Sequence, residues 1–138
     1  MRRMLIAVST AVAMGGVLFA GAAPASAAAP AANAETAMTA LASCYGGAAA
    51  YTKTSGTFQV PRGAGSFYRT STRCTDINIK PNQTVWARIC FEATGCQSSF
   101  KQVLRGQWGV IATNVRDNAP FRIDFTNLDA EFTGVYAA

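Results

Sequence analysis

The chain has 138 residues, four cysteines and no histidine, with 12 basic residues against 7 acidic ones and a formal charge of +5. Without histidine, a Ser-His-Asp nucleophilic site and a histidine-completed zinc site are both excluded. The basic residues form no run and accompany no nucleic-acid-binding motif, which argues against a nucleic-acid partner.

The chain opens MRRMLIAVSTAVAMGGVLFAGAAPASA, in which Arg2 and Arg3 precede an uncharged stretch and then Ala25, Ser26 and Ala27. That order is the order of a secretory signal peptide, and Gly15, Gly16 and Gly21 dilute the hydrophobicity that a membrane anchor requires. Cleavage is expected after Ala27 or after Ala34, so residues 1–34 read as signal peptide and Ala/Pro-rich processing region. The expected product is secreted and extracellular, has no membrane contact, and forms one domain of roughly a hundred residues. Six basic residues from Lys53 to Arg88 stand against Glu35 and Asp76. They read as solvated charges, with a basic face for an acidic partner as the alternative.

The only helical candidate is ETAMTALAS (Glu35–Ser43), too short to be stable alone in water. The Gly-, Ala- and Thr-rich segment from Cys44 to Gly65 has a weak core signal, and residues 35–65 are expected to form a mobile N-terminal arm held by Cys44. Short aromatic and β-branched runs then follow: Gly65–Cys74, Thr75–Lys80, Thr84–Glu92, Ser98–Leu104, Gln107–Val115, Pro120–Asn127 and Glu131–Ala137. They are punctuated by Pro81-Asn82, Thr94-Gly95, Arg105-Gly106 and Asp117 to Pro120. In the clearest run Val85, Ala87, Ile89 and Phe91 alternate with Trp86, Arg88 and Cys90. Strands at about ten-residue spacing predict an all-β protein, a small antiparallel β-sandwich over residues 66–138, with a small barrel as the runner-up.

Four cysteines in a short secreted chain read as two disulfides. Of three pairings, Cys44–Cys74 with Cys90–Cys96 is preferred, because the five residues between Cys90 and Cys96 contain Thr94-Gly95 and suit a hairpin turn. A zinc site fits poorly, because CFEATGC exceeds the usual ligand spacing and the other two cysteines are single and distant. No cofactor or metal is expected.

Catalytic groups are sparse. Asp124 alternates with Ile123 and Phe125 and reads as the outer face of a strand, while Asp129 and Glu131 flank a turn. All three read as solvated acids rather than as calcium ligands or a glycosidase pair. Trp86 and Trp108, with Tyr45, Tyr51, Tyr68 and Tyr136, offer stacking surfaces for sugars, and Trp86 with Arg88 has the aromatic-plus-arginine character of a protein interface. The VPRG segment around Arg62 has the look of an exposed inhibitory loop.

The segments CYGGAAAYTKTSG (44–56), CTDINIKP (74–81), ARICF (87–91), CQSSFKQVLRGQW (96–108), VIATNVRDNAPFRIDF (110–125) and TGVYAA (133–138) together resemble small secreted proteins of Streptomyces and related actinomycetes. Within that group the chain resembles the adaptor subunit of umbrella toxin particles, which links a large toxin scaffold to lectin subunits. The resemblance implies a non-enzymatic protein with two interfaces: a body that sits on scaffold repeats, and an arm over residues 35–65 that enters a cleft of the trypsin-like lectin subunit. Its partners would be larger secreted proteins. Tyr45, Tyr51 and Arg62 on the arm and Trp86 and Arg88 on the body are the expected partner-binding residues. An extracellular protease inhibitor and a carbohydrate-binding module are the alternative functions.

Overall fold

The structure, a computed structural model, describes residues 38–39 and 42–138. The expected signal peptide and processing region lie outside the described residues. Among the described residues ten strands follow in order: β1 (Ala49–Lys53), β2 (Gln59–Val60), β3 (Tyr68–Arg69), β4 (Ile77–Pro81), β5 (Val85–Phe91), β6 (Gly95–Cys96), β7 (Lys101–Val103), β8 (Gly109–Ala112), β9 (Pro120–Phe125) and β10 (Phe132–Ala137). One sheet has the order β1-β10-β4-β8, and the other the order β2-β9-β5-β6, with β3 also on β9 and β7 also on β5. The ladders are antiparallel.

The two-residue period of β5 and β9 explains how the sheets meet. Ala87 and Ile89 on β5 face Phe125 and Ile123 on β9, and all four are fully covered. Across the core they join Tyr51, Ile77, Ile79, Ile111 and Phe132 of the first sheet in one apolar cluster. Inward side chains from both sheets therefore form a single core, as in an antiparallel β-sandwich. Fully burying an Ile or Phe side chain stabilises by about 1.5–3 kcal/mol.

Both expected disulfides are present, Cys44–Cys74 and Cys90–Cys96. The first closes a separation of 30 residues, for which the chain-entropy model gives about 3–4 kcal/mol; the second closes 6, for about 2 kcal/mol. Cys44, Cys74 and Ala137 form a small cluster of their own, capped by Tyr45 and Trp108. The helical residues 42–46 thereby dock beside the first sheet. The two bridges imply an oxidising environment, and no helix among the described residues is long and apolar enough to cross a membrane.

Two expectations need correction. Residues 35–65 do not all lie in an arm, because β1 pairs along its whole length with β10 and β2 pairs with β9. The inward positions of β1 are Tyr51 and Lys53, and the lysine hid the pattern. Its Nζ donates to the carbonyls of Leu128 (3.1 Å) and Ala130 (2.6 Å), so a fully covered ammonium is satisfied by the turn before β10. Burial lowers its pKa, and the nearby Asp129 and Glu131 carboxylates oppose that shift. The run Gly65–Cys74 contributes only Tyr68–Arg69 as strand, since β9 offers that edge just Phe121 and Pro120.

Candidate protein-binding face

Where inward residues of β5 and β9 build the core, their alternates build the outer face of the second sheet. Arg88 stands opposite Asp124 and Cys90 opposite Arg122, while β2 brings Gln59 opposite Asp124. Arg88 Nε donates to Asp124 Oδ2 at 2.7 Å, and its Nη1 donates to the Gln97 carbonyl at 3.2 Å. The Arg88 guanidinium also lies 4.4 Å above the Phe100 ring. A cation held by a carboxylate and an aromatic face at once is fixed in place, and so is available as a rigid contact. Asp124, expected to be solvated, is in fact buried, with its side chain 7% exposed. The adjacent guanidinium compensates for its loss of water.

Arg122 performs a different task on the same face. Its Nε donates to the Ser66 carbonyl (2.8 Å), its Nη1 to Gln59 Oε1 (3.3 Å) and its Nη2 to the Gly63 carbonyl (2.7 Å). The guanidinium is stacked over Phe67 as well, at 4.6 Å. The loop between β2 and β3 leaves the sheet at this point, and Arg122 occupies the gap and clamps the loop from below. Arg62, near the start of that loop, is exposed and donates from Nη1 to Thr54 Oγ1 at 2.9 Å.

Loop and sheet together enclose an open groove of about 770 Å³. Arg62, Arg88, Arg122 and Asp124 supply its charges, and Phe58, Phe100, Phe125 and Leu128 its apolar wall. Phe58 is 46% exposed and Leu128 38%. A smaller hollow of about 160 Å³ shares Phe125 and Thr126 with the groove and is lined by Trp86, which is 48% exposed. Trp86, Arg88 and the Arg62 loop therefore occupy one continuous face.

Of the five expected partner-binding residues, Arg62, Trp86 and Arg88 come together here. Tyr45 does not; it stacks on Trp108 at 4.5 Å beside the Cys44–Cys74 bridge. Tyr51 is removed from the surface altogether, 2% exposed and packed between Phe125 and Phe132, because it takes an inward position of β1. Phe58, Phe100, Arg122 and Leu128 were not expected. Arg122 had a signal in its alternation with Phe121 and Ile123, but only knowledge of the β5–β9 register places it beside Arg88.

The Cys90 and Cys96 sulfurs and an Asp124 oxygen lie within 4.8 Å of one another, but the sulfurs are covalently paired and the carboxylate is taken by Arg88, so this cluster is not a thiolate metal site. Asp129 and Glu131 stand at the far end of the chain's last turn, where Glu131 Oε1 accepts from the Ser55 amide at 3.3 Å. Comparison with family models, with curated proteins and with solved structures returns no match for this chain.

Proposed function

We propose that the chain is a secreted, non-enzymatic adaptor that holds larger extracellular proteins together through the outer face of its second sheet. The observation that carries this reading is Trp86, half exposed next to an arginine that is already fixed by Asp124 and Phe100. Tryptophan and arginine are the residues most enriched among those that dominate binding energy, and a contact held rigid beforehand loses little entropy on docking. Two disulfides and the leader-like opening support export. The finer reading, the adaptor of an umbrella toxin particle, rests on the sequence segments that resemble that group. On that reading the remaining partner would engage the segment ahead of β1.

The test is to tag the C-terminus, recover the protein gently from its producer's culture supernatant and identify what accompanies it by mass spectrometry. A large repeat protein arriving with a lectin supports the adaptor reading; recovery as a lone monomer overturns it.

One observation favours a second reading, a protease inhibitor with Arg62 as its recognition residue. The Arg122 clamp makes the loop rigid, as an inhibitory loop has to be. Against it, Val60 is buried in the sheet and Gly63 has a φ of 97°, so the chain on either side of Arg62 does not offer an extended, substrate-like strand. Loss of trypsin inhibition in Arg62→Ala would establish the inhibitor, and absence of inhibition in the unaltered protein would remove it.

A further inference from the structure

The three guanidiniums of the groove differ in how many of their donors are already used. Arg122 spends Nε, Nη1 and Nη2 on its own loop. Arg88 spends Nε on Asp124 and Nη1 on Gln97, which leaves Nη2 without a partner among the described residues. Arg62 spends only Nη1, on Thr54, and neither its Nε nor its Nη2 has a partner among the described residues. Those two N–H groups lie side by side on one edge of a planar guanidinium. That edge is the one that grips a carboxylate with two parallel hydrogen bonds. Thr54 holds the opposite edge and so aims the open one.

Charge points the same way. The groove has three arginines and one carboxylate, and that carboxylate is committed to Arg88. Arg62 is left without an internal counter-charge among the described residues. Beside it, the exposed Phe58 and Leu128 give the groove an apolar wall, and the volume of about 770 Å³ is far larger than a lone carboxylate requires.

We propose that this groove binds an acidic, extended segment of a partner protein. A Glu or Asp side chain of that segment pairs bidentately with Arg62, a second acceptor reaches Arg88 Nη2, and a neighbouring apolar side chain rests on Phe58 and Leu128. The proposal rests on the reading that this face binds protein. A sulfated glycan is disfavoured, because it would leave the apolar wall of Phe58 and Leu128 without a contact.

The probe is the peptide acetyl-Glu-Leu-Glu-Leu-Glu-amide, with its glutamine counterpart as control, titrated into the folded protein and followed by calorimetry and by the NMR signals of the arginine Nε–H groups. The acidic peptide is expected to bind at least about tenfold more tightly than the glutamine peptide, which corresponds to one charge-assisted contact. Its binding should shift the Arg62 Nε–H signal and weaken with salt. Arg62 is exposed, so Arg62→Gln leaves the fold intact and is expected to lose that preference. Arg62→Lys keeps the charge without the fork and should lose most of it. Arg105→Gln, an exposed change outside the groove, should lose none.

Equal binding of the two peptides overturns the proposal, as does equal loss in Arg62→Gln and Arg105→Gln, or full retention in Arg62→Lys. Arg62-dependent binding of a heparin tetrasaccharide in place of the peptide overturns it in favour of a glycan. Should the acidic peptide fail while Trp86→Ala still abolishes capture of the native partner, the adaptor reading stands and the acidic-segment proposal alone falls.

Discussion

Replacing Arg88 by Met keeps most of the aliphatic stem and deletes the charge that neutralises Asp124. The carboxylate left behind is 7% exposed. Gln59, its other cross-strand neighbour, offers no substitute, since its amide is engaged by Arg122 and faces the Cys90 sulfur. Breaking a fully buried pair from one side costs about 3–5 kcal/mol. The Arg88 side chain is 28% exposed, so solvent screens part of the interaction, and about 2 kcal/mol is the expected loss. Asp124→Asn is the milder change, at about 1 kcal/mol, because Arg88 then keeps the Gln97 carbonyl, the Phe100 ring and some water. The double change Arg88→Met with Asp124→Asn should cost less than the sum of the two. Urea unfolding followed by tryptophan fluorescence and far-ultraviolet circular dichroism measures all three. If Arg88→Met proved no more harmful than Asp124→Asn, the asymmetry inferred from burial would be wrong. This coupling also makes Arg62 and Trp86 cleaner probes of binding than Arg88.

The Tyr51 hydroxyl is buried without a hydrogen-bond partner among the described residues, so Tyr51→Phe is expected to leave stability unchanged or raise it by up to about 1 kcal/mol; a clear loss would mean that the oxygen has a partner. The same ring crosses Gly134, where an added Cβ would meet it at 2.5–2.7 Å, so Gly134→Ala should cost about 2 kcal/mol in urea unfolding. Combining it with Tyr51→Leu should relieve part of that cost, and strict additivity would contradict the packing argument. Burial raises the pKa of Tyr51, Tyr68 and Tyr136, with Tyr68 pushed up to about 12 and a neighbouring tyrosine adding to the shift for the first two. An unfolded tyrosine ionises near pH 10, so above about pH 10.5 the unfolded state holds fewer protons and stability should fall as pH rises. Lys53, with its lowered pKa, acts in the opposite sense but only below about pH 10.5. Phenolate absorbance with urea midpoints across that range checks the sign; a midpoint that does not move would refute it.

The fold was legible wherever inward and outward residues differ strongly. β5 alternates Val85, Ala87, Ile89 and Phe91 with Trp86, Arg88 and Cys90, β9 alternates Phe121, Ile123 and Phe125 with Arg122 and Asp124, and both lie where the sequence pattern places them. β1 escaped because its inward positions hold a tyrosine and a lysine and its outward ones alanine and threonine, a pattern with almost no amphipathic contrast. What makes Lys53 acceptable inside is a set of carbonyls more than seventy residues away, which no local reading supplies. The binding face was legible in the same partial way. Trp86 and Arg88 announce themselves two residues apart on one strand, but Arg122 and Asp124 join them only through register. The groove wall depends on Phe58 and Leu128, which fall outside every strand run the sequence predicts and are left exposed by the bends that carry them.

Quantitative capture of the native partner by the tagged protein, compared between the unaltered chain, Trp86→Ala and Val110→Ala, tests the central claim most directly. Both side chains are exposed, and Val110 belongs to β8 of the opposite sheet, so neither change disturbs the core. The outer face of the second sheet, as the docking surface, predicts that Trp86→Ala loses at least about tenfold of the captured partner while Val110→Ala loses none. Full capture by Trp86→Ala, or equal loss in both, would contradict it.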